Sequence, residues 1–181
     1  MRYLPNGKQM SEADTHTIHE IGIPSLVLME RAALQIVEIM HKKNISTEKS
    51  LIVCGSGNNG GDGFAVARLL TEQGKHADVL FAGREASLSE ECRCQKQIVE
   101  NMGISVFTEF PDEEYTVIID AVFGVGLCRE ITGHYKDVID WMNLQDAEKV
   151  AVDIPSGIYA ATGKILGTAF RADLTVCMAC V

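Results

Sequence analysis

Glycines and hydrogen-bonding side chains are concentrated in residues 54–63, which read Cys-Gly-Ser-Gly-Asn-Asn-Gly-Gly-Asp-Gly. An apolar run, 51–53, precedes this stretch, and a helical pattern of apolar residues begins at Phe64. A glycine-rich turn between a strand and a helix directs free backbone N–H groups and the positive end of the helix dipole toward an anion. We therefore name residues 54–63 the glycine loop and predict that it binds a phosphate group.

Two common nucleotide-binding patterns fit the glycine loop poorly. Gly55, Gly57 and Gly60 have the spacing of the dinucleotide fingerprint, but that fingerprint also needs an acidic residue after the next strand. Residues 82–84 occupy that position here and read Ala-Gly-Arg. A P-loop would need Gly-Lys-Ser/Thr after the glycines, and that triplet is missing. The sequence therefore disfavours a P-loop and the standard NAD-binding mode of an oxidoreductase.

Two further apolar segments end on a carboxylate. Residues 116–120 end in Asp120 and run into a second glycine-containing loop, 121–130. Residues 149–153 end in Asp153, and Ser156 follows three residues later. Because the carboxyl ends of parallel strands meet at one edge of a sheet, we expect both segments to converge with the glycine loop.

The polar side chains of these segments suit two kinds of chemistry. Asn59, Asp120 and Ser156 offer oxygen atoms, which are the ligands of cations such as alkali and alkaline-earth ions rather than of zinc or copper. Asp153 would then be available for proton transfer. A carboxylate at the end of a strand is also common as a cap for the next turn, and the residues alone leave that alternative open.

Alternating strand and helix patterns predict the framework that positions these residues. Continuously apolar strands separated by helices are typical of a parallel sheet with helices on both faces. With 181 residues, the chain is expected to form one domain, 1–181. The predicted strands are 51–54, 77–82, 104–107, 116–120, 149–153 and 173–177, and the predicted helices are 10–22, 24–42, 60–73, 88–102 and 133–144.

Composition and charge exclude several classes of protein. A net charge of −9 disfavours binding to nucleic acid or to an anionic membrane. No apolar run approaches the roughly 20 residues that span a bilayer. Six cysteines without a secretory signal are expected to be reduced thiols in a cytoplasmic protein. A zinc site combining the pairs Cys92/Cys94 and Cys177/Cys180 is disfavoured, because the second pair lies in an apolar strand.

Four segments resemble the NAD(P)HX epimerase family, the YjeF N-terminal domain. The glycine-loop part is 57–63, which reads Gly-Asn-Asn-Gly-Gly-Asp-Gly. The second is 120–127, Asp-Ala-Val-Phe-Gly-Val-Gly-Leu, together with Arg129, and the third is 152–157, Val-Asp-Ile-Pro-Ser-Gly. The helix 26–32, Leu-Val-Leu-Met-Glu-Arg-Ala, also resembles the family's N-terminal pattern. The resemblance therefore covers nearly the whole chain.

The resemblance implies a fold and an activity. The implied fold is a Rossmann-like three-layer α/β/α sandwich, commonly a homodimer. The implied enzyme interconverts the R and S forms of hydrated NADH and NADPH, which carry a hydroxyl group at C6 of the nicotinamide ring. A dehydratase, fused or separate, would consume the S form. The alternative is a non-catalytic nucleotide-binding or scaffold module of the same family.

The resemblance also implies the roles of individual residues. Asn59, Asp120 and Ser156 would bind a potassium ion, and Asp153 would transfer the proton at C6. Val125 stands where the family commonly has threonine. The residues expected to contact the substrate are Asn58, Asn59, Gly60, Gly61, Asp62, Gly124, Val125, Gly126, Leu127, Cys128, Arg129, Glu130 and Asp153.

The C-terminal end departs from the family pattern. The family's sheet usually continues beyond residues 172–176, whereas this sequence ends at Val181. We therefore expect a domain shortened at this end, such as the epimerase part of a bifunctional epimerase and dehydratase.

Overall fold

The computed structural model describes residues 7–178, which form a six-stranded, fully parallel sheet with helices on both faces. The strands are β1 (Lys49–Cys54), β2 (His76–Phe81), β3 (Val106–Phe107), β4 (Val117–Ala121), β5 (Glu148–Val152) and β6 (Leu174–Val176). Their order across the sheet is β3-β2-β1-β4-β5-β6. The crossover from β3 to β4 therefore creates a switch point between β1 and β4, where ligands of such sheets bind.

The helices were predicted close to their observed positions. They are α1 (Gly7–His16), a π-helical turn (Thr17–Ile21), α2 (Ser25–Lys42), α3 (Asn58–Glu72), a short 3₁₀ turn (Glu85–Ser87), α4 (Glu90–Asn101) and α5 (His134–Leu144). Gly22 adopts a φ of 83° and ends the first helical segment, as the sequence indicated. None of the helices within residues 7–178 is both long and apolar enough to cross a bilayer.

Successive residues of β1 face opposite layers of the sandwich. Leu51 and Val53 belong to a buried cluster that includes Ile139 of α5. Ile52 belongs to the other cluster, which includes Phe64 of α3. This alternation follows from the two-residue period of a strand, and both faces are apolar because both are covered. The predicted three-layer α/β/α architecture is confirmed.

Several boundaries differ from the sequence prediction by one to three residues. The first described helix begins at Gly7, three residues before the predicted start. The strand predicted at 104–107 is paired only at its last two residues. The strand predicted at 149–153 ends at Val152, because Asp153 has a φ of 67° and leaves the extended conformation. This last difference changes the direction of a candidate catalytic side chain.

The glycine loop packs directly against the chain that follows β4. A Cβ atom added at Gly55 would lie 2.1 Å from the carbonyl oxygen of Val122, and one added at Gly60 would lie 2.1 Å from the carbonyl oxygen of Gly55. Backbone atoms cannot give way as a flexible side chain does, so these two positions require glycine. The packing holds the start of α3 beside the loop after β4.

Candidate functional site

A buried carboxylate, Asp120, connects the chain segments that follow β4 and β5. The Ser156 N–H donates to Asp120 Oδ2 at 2.7 Å, and Ser156 Oγ donates to Asp120 Oδ1 at 2.7 Å. The Val122 N–H donates to Asp120 Oδ1 at 3.1 Å. Ser156 Oγ in turn accepts a bond of 2.8 Å from the Phe123 N–H. Asp120 is therefore placed by β4, and Ser156 is held against it by side-chain and backbone bonds.

The electrostatic environment of Asp120 lacks a protein cation. Burial raises the pKa of its carboxyl group to about 6, although the bonds from Ser156 and Val122 favour the charged form. Among the side chains that the structure describes, no lysine, arginine or histidine forms an ion pair with Asp120. A buried carboxylate with oxygen-bearing neighbours and no counter-ion has the chemistry of a cation site.

Asp153 lies in a left-handed turn between β5 and the chain beyond it. Its backbone N–H donates to the carbonyl of Val176 in β6 at 2.8 Å. Its Oδ2 accepts a bond of 3.1 Å from the Val125 N–H, whereas Oδ1 has no hydrogen bond to the described residues. Gly124 places Asp153 beside Asn59, since a Cβ atom there would lie 3.0 Å from Asp153 Oδ2 and 3.4 Å from Asn59 Cγ. The structure thus brings the predicted catalytic residue and a predicted metal ligand together.

The side chain of Asn59, at the start of α3, is incompletely bonded. Its Nδ2 atom is buried and has no hydrogen-bond partner among residues 7–178. The two ends of an amide side chain are assigned from the hydrogen bonds around them, so the opposite orientation would place an unpaired oxygen there. A ligand group or a cation beside Asn59 would supply the missing interaction.

Two more carboxylates lie near Asp153. The pKa of Asp62, in the first turns of α3, is raised to about 8, mainly by burial and then by the negative charges of Asp153 and Asp14. The pKa of Asp14 in α1 is raised by burial and then by Asp153. Asp62 was predicted as a site residue, but Asp14 was not. The sequence around Asp14 is that of an ordinary polar helix, and only the tertiary fold places α1 near the site.

A cleft of about 250 Å³ opens beside the loop after β4. Its lining includes three predicted residues, Leu127, Arg129 and Glu130. The other lining residues are Arg84, Phe123, Ile131, Thr132 and Tyr135. Arg84 follows β2 at the position where a dinucleotide fingerprint would have an acidic residue. The sequence analysis identified this departure from the fingerprint but predicted no role for Arg84.

The remaining predicted contact residues occupy varied environments. Asn58, Val125, Gly126 and Cys128 are exposed at the same sheet edge. Gly60 and Gly61 are buried, and the Gly61 N–H donates to the Gly57 carbonyl within the helix. The N–H groups of residues 58–60 have no such intrahelical acceptor, as at every helix start. The backbone donors for an anion therefore belong to residues 58–60 rather than to Gly61.

Comparison with known protein families identifies the family that has this arrangement of motifs. Residues 25–181 match the family described as YjeF-related protein N-terminus. The chain belongs to this family. The match includes the glycine loop, Asp120 and Asp153, so the resemblance seen in the sequence is confirmed.

Curated relatives of this YjeF N-terminal domain share a name. A protein from Oenococcus oeni named NAD(P)H-hydrate epimerase is 43% identical over 175 residues, covering 96% of this chain and 83% of the relative. A protein of the same name from Limosilactobacillus reuteri is 45% identical over 178 residues, covering 97% of this chain and 84% of the relative.

A solved structure supports the fold of this YjeF N-terminal domain. The crystal structure of yeast ynu0 superimposes with a TM-score of 0.83 at 20% sequence identity. The match covers 97% of this chain and 79% of the yeast chain. At this identity the likeness establishes the architecture alone.

The raised pKa of Asp62 predicts a specific pH dependence of folding stability in this YjeF N-terminal domain. An unfolded aspartate has a pKa of about 3.9, so between about pH 5 and pH 7 the folded chain retains a proton that the unfolded chain loses. Stability should therefore fall as the pH rises through this window, by up to about 1.4 kcal/mol per pH unit from this group.

Asp62→Asn should flatten that decline, because asparagine does not titrate. Urea unfolding of wild type and variant at constant ionic strength and without potassium measures the two slopes. Asp146→Asn, which alters an exposed carboxylate, is the matched control and should keep the wild-type slope. Equal slopes for wild type and Asp62→Asn would contradict a raised pKa at Asp62.

Proposed function

We propose that this chain is an epimerase that interconverts the R and S forms of hydrated NADH and NADPH. The observation that carries the proposal is the meeting of Asn59 and Asp153 at Gly124, beside the glycine loop. Relatives at 43% and 45% identity that are named NAD(P)H-hydrate epimerase support the same substrate. The S form would pass to a dehydratase, either separate or fused to this domain.

The glycine loop would bind the pyrophosphate of the substrate. The free N–H groups of residues 58–60 and the dipole of α3 favour an anion there. These local donors are needed because the chain carries a net charge of −9 and the site itself holds several carboxylates. The nicotinamide end would then reach the side of the switch point formed by the ends of β4 and β5.

Asp153 is the group best placed to transfer a proton at the C6 centre. The Val125 N–H holds Oδ2, and Oδ1 remains free of hydrogen bonds within residues 7–178. The free oxygen would take the proton from the C6 hydroxyl group as the C6–N1 bond breaks, so that C6 becomes an aldehyde carbon and the electron pair of the broken bond passes to N1. N1 would then add to the opposite face of the aldehyde, and the proton would return to the oxygen on C6. The left-handed turn at Asp153 directs the carboxylate toward Gly124 and Asn59, where the ring would bind.

Asp153→Asn tests this assignment. Removing the titratable group should lower kcat for the conversion of purified R-form substrate at least about a hundredfold, the low end for acid–base catalysis. Asp146→Asn removes an exposed carboxylate and should leave kcat within about twofold of wild type. Near-wild-type kcat in Asp153→Asn would contradict the assignment. Absence of turnover by the wild-type protein would instead favour the non-catalytic binding module.

The residues around Asp120 fit a bound potassium ion. Asn59, Asp120 and Ser156 would hold the ion through oxygen atoms, and the ion would supply the positive charge that the buried Asp120 carboxylate lacks. Asp120 and Ser156 are already in contact, so the ligand set is largely arranged by the fold. The Asn59 amide would turn its oxygen toward the ion.

Potassium should therefore stabilise the folded chain. At a concentration about ten times its dissociation constant, an ion that binds only the folded state adds about 1.4 kcal/mol, or a rise in Tm of about 3–6 °C. Thermal unfolding in potassium chloride against choline chloride at equal ionic strength measures the effect. Ser156→Ala and Asp120→Asn should each reduce the rise. An equal rise in choline chloride, or an undiminished rise in both variants, would contradict the site.

The proposed enzyme would be a homodimer whose two subunits contact each other through α2. Val27 and Leu34, seven residues apart on one helix face, are each 46% exposed, and Ile21 and Leu26 are exposed close by. Leu34→Glu should therefore raise the dimer dissociation constant at least about tenfold in analytical ultracentrifugation. Leu144→Glu changes a more exposed leucine at the end of α5 and should leave the dimer intact. A wild-type monomer, or an unaffected Leu34→Glu dimer, would contradict this interface.

A further inference from the structure

Arg84 is held at the end of β2 by the glycine loop. Its backbone N–H donates to Ser56 Oγ at 2.7 Å, and Ser56 Oγ donates to the Arg84 carbonyl at 3.3 Å. A Cβ atom added at the preceding Gly83 would lie 2.4 Å from Ser56 Oγ, so the two loops are in close contact. The position of Arg84 is therefore coupled to the loop that would bind the pyrophosphate.

Arg84 and Arg129 both line this cleft, and their guanidinium groups are free of ion pairs within residues 7–178. Neither group forms a salt bridge or a side-chain hydrogen bond to any part of the chain that the structure describes. The neighbouring Glu85 is engaged elsewhere, because its carboxylate pairs with Lys96 of α4 at 2.9 Å. Glu130 is the acidic residue of the cleft lining, which leaves a net positive charge there. The lining therefore carries an excess of one positive charge in a chain whose net charge is −9.

The cleft also has an aromatic wall. The rings of Phe123 and Tyr135 lie with centroids 4.8 Å apart and an interplanar angle of 58°. Both rings line the cleft together with Arg84. A flat heteroaromatic base can pack against such a wall, while the guanidinium groups contact a phosphate.

Strand order identifies the part of a dinucleotide that would reach Arg84. In dinucleotide-binding sheets of order 3-2-1-4-5-6, the ribose of the adenosine half lies at the end of β2, where an acidic residue binds a 2′-hydroxyl group and an arginine accommodates a 2′-phosphate. The missing acidic residue disfavours the standard NAD-binding mode, whereas an arginine at the same position suits a 2′-phosphate. Here the residue at that position is Arg84, and the nearby Glu85 is paired with Lys96.

We propose that Arg84, assisted by Arg129, binds the 2′-phosphate of the adenosine ribose, so that the chain favours hydrated NADPH over hydrated NADH. This inference rests on the proposed function, because it assigns the adenosine half of the same substrate. Arg84 is a specificity residue and lies away from the reacting C6 centre. It should therefore affect the choice of substrate without taking part in the chemical step.

Kinetics with the two substrates test the inference. Arg84→Gln should lower kcat/KM for R-form hydrated NADPH about 10- to 100-fold, the range for losing a charged hydrogen bond, mainly through KM. The value for hydrated NADH should change less than about threefold. Arg171→Gln makes the same charge change at the opposite edge of the sheet and should leave both values unchanged. Equal losses for both substrates, or no loss for either, would overturn the inference.

Binding of nucleotide fragments separates this inference from the proposed activity. In calorimetry, 2′,5′-ADP should bind the wild type at least about tenfold more tightly than 5′-AMP, and Arg84→Gln should remove the difference, while Arg84→Lys should retain part of it. That result supports the inference even if the wild type epimerises neither substrate. Absence of epimerisation would contradict only the proposed function. Equal binding of the two fragments by the wild type would overturn the inference and leave the proposed function standing.

Discussion

The contact between Asp120 and Ser156 is the constraint on which the geometry of the site depends. It brings a fully buried carboxylate from β4 against the turn after β5, and the Phe123 N–H bonded to Ser156 Oγ extends the contact into the loop that carries Gly124 and Val125. Hydrogen bonds to a charged group contribute about 1.5–3 kcal/mol each. These bonds therefore hold the loop after β4 against the turn after β5, and the bond to Val125 holds Asp153 in the same arrangement.

The same edge of the sheet concentrates negative charge in a way that opposes folding. Burial raises the pKa of both Asp62 and Asp120, and Asp153 and Asp14 add their charges to Asp62. A core built for stability alone would replace such groups with apolar residues. Their retention is understandable if a cation and a protonated substrate group balance them, while the helix N–H groups attract the phosphates locally. Local dipoles would thus attract the phosphates of the proposed substrate, although the net charge of the whole chain is unfavourable.

Much of the architecture follows from the sequence because local and global signals agree. The strands are continuously apolar, the glycine loop lies between a strand and a helix, and parallel strands must bring their carboxyl ends together. Convergence of Asn59, Asp120 and Asp153 was therefore predictable from chain order alone.

Other features depend on tertiary contacts that carry no local pattern. The left-handed conformation of Asp153 is imposed by its bonds to Val176 and Val125, and an aspartate in sequence gives no sign of it. Asp14 reaches the site only because α1 crosses near it. Arg84 was visible as a departure from the dinucleotide fingerprint, but its free guanidinium group and its aromatic neighbours appear only in the folded cleft.

The strand order would separate the substrate recognition proposed for Arg84 from the proton transfer proposed for Asp153, because the two residues lie on opposite sides of β1. Arg84 lies beyond β2, the carboxylates of Asp120 and Asp153 lie at the ends of β4 and β5, and the glycine loop after β1 lies between them. A ligand that spans all three must be bound at a distance from its reacting carbon. Binding energy gained from such a remote group can be used to orient the reacting end, and the rigid parallel sheet transmits that orientation. The contact of Ser56 with Arg84 on one side and of Gly55 with Val122 on the other makes the glycine loop the physical link between the two tasks.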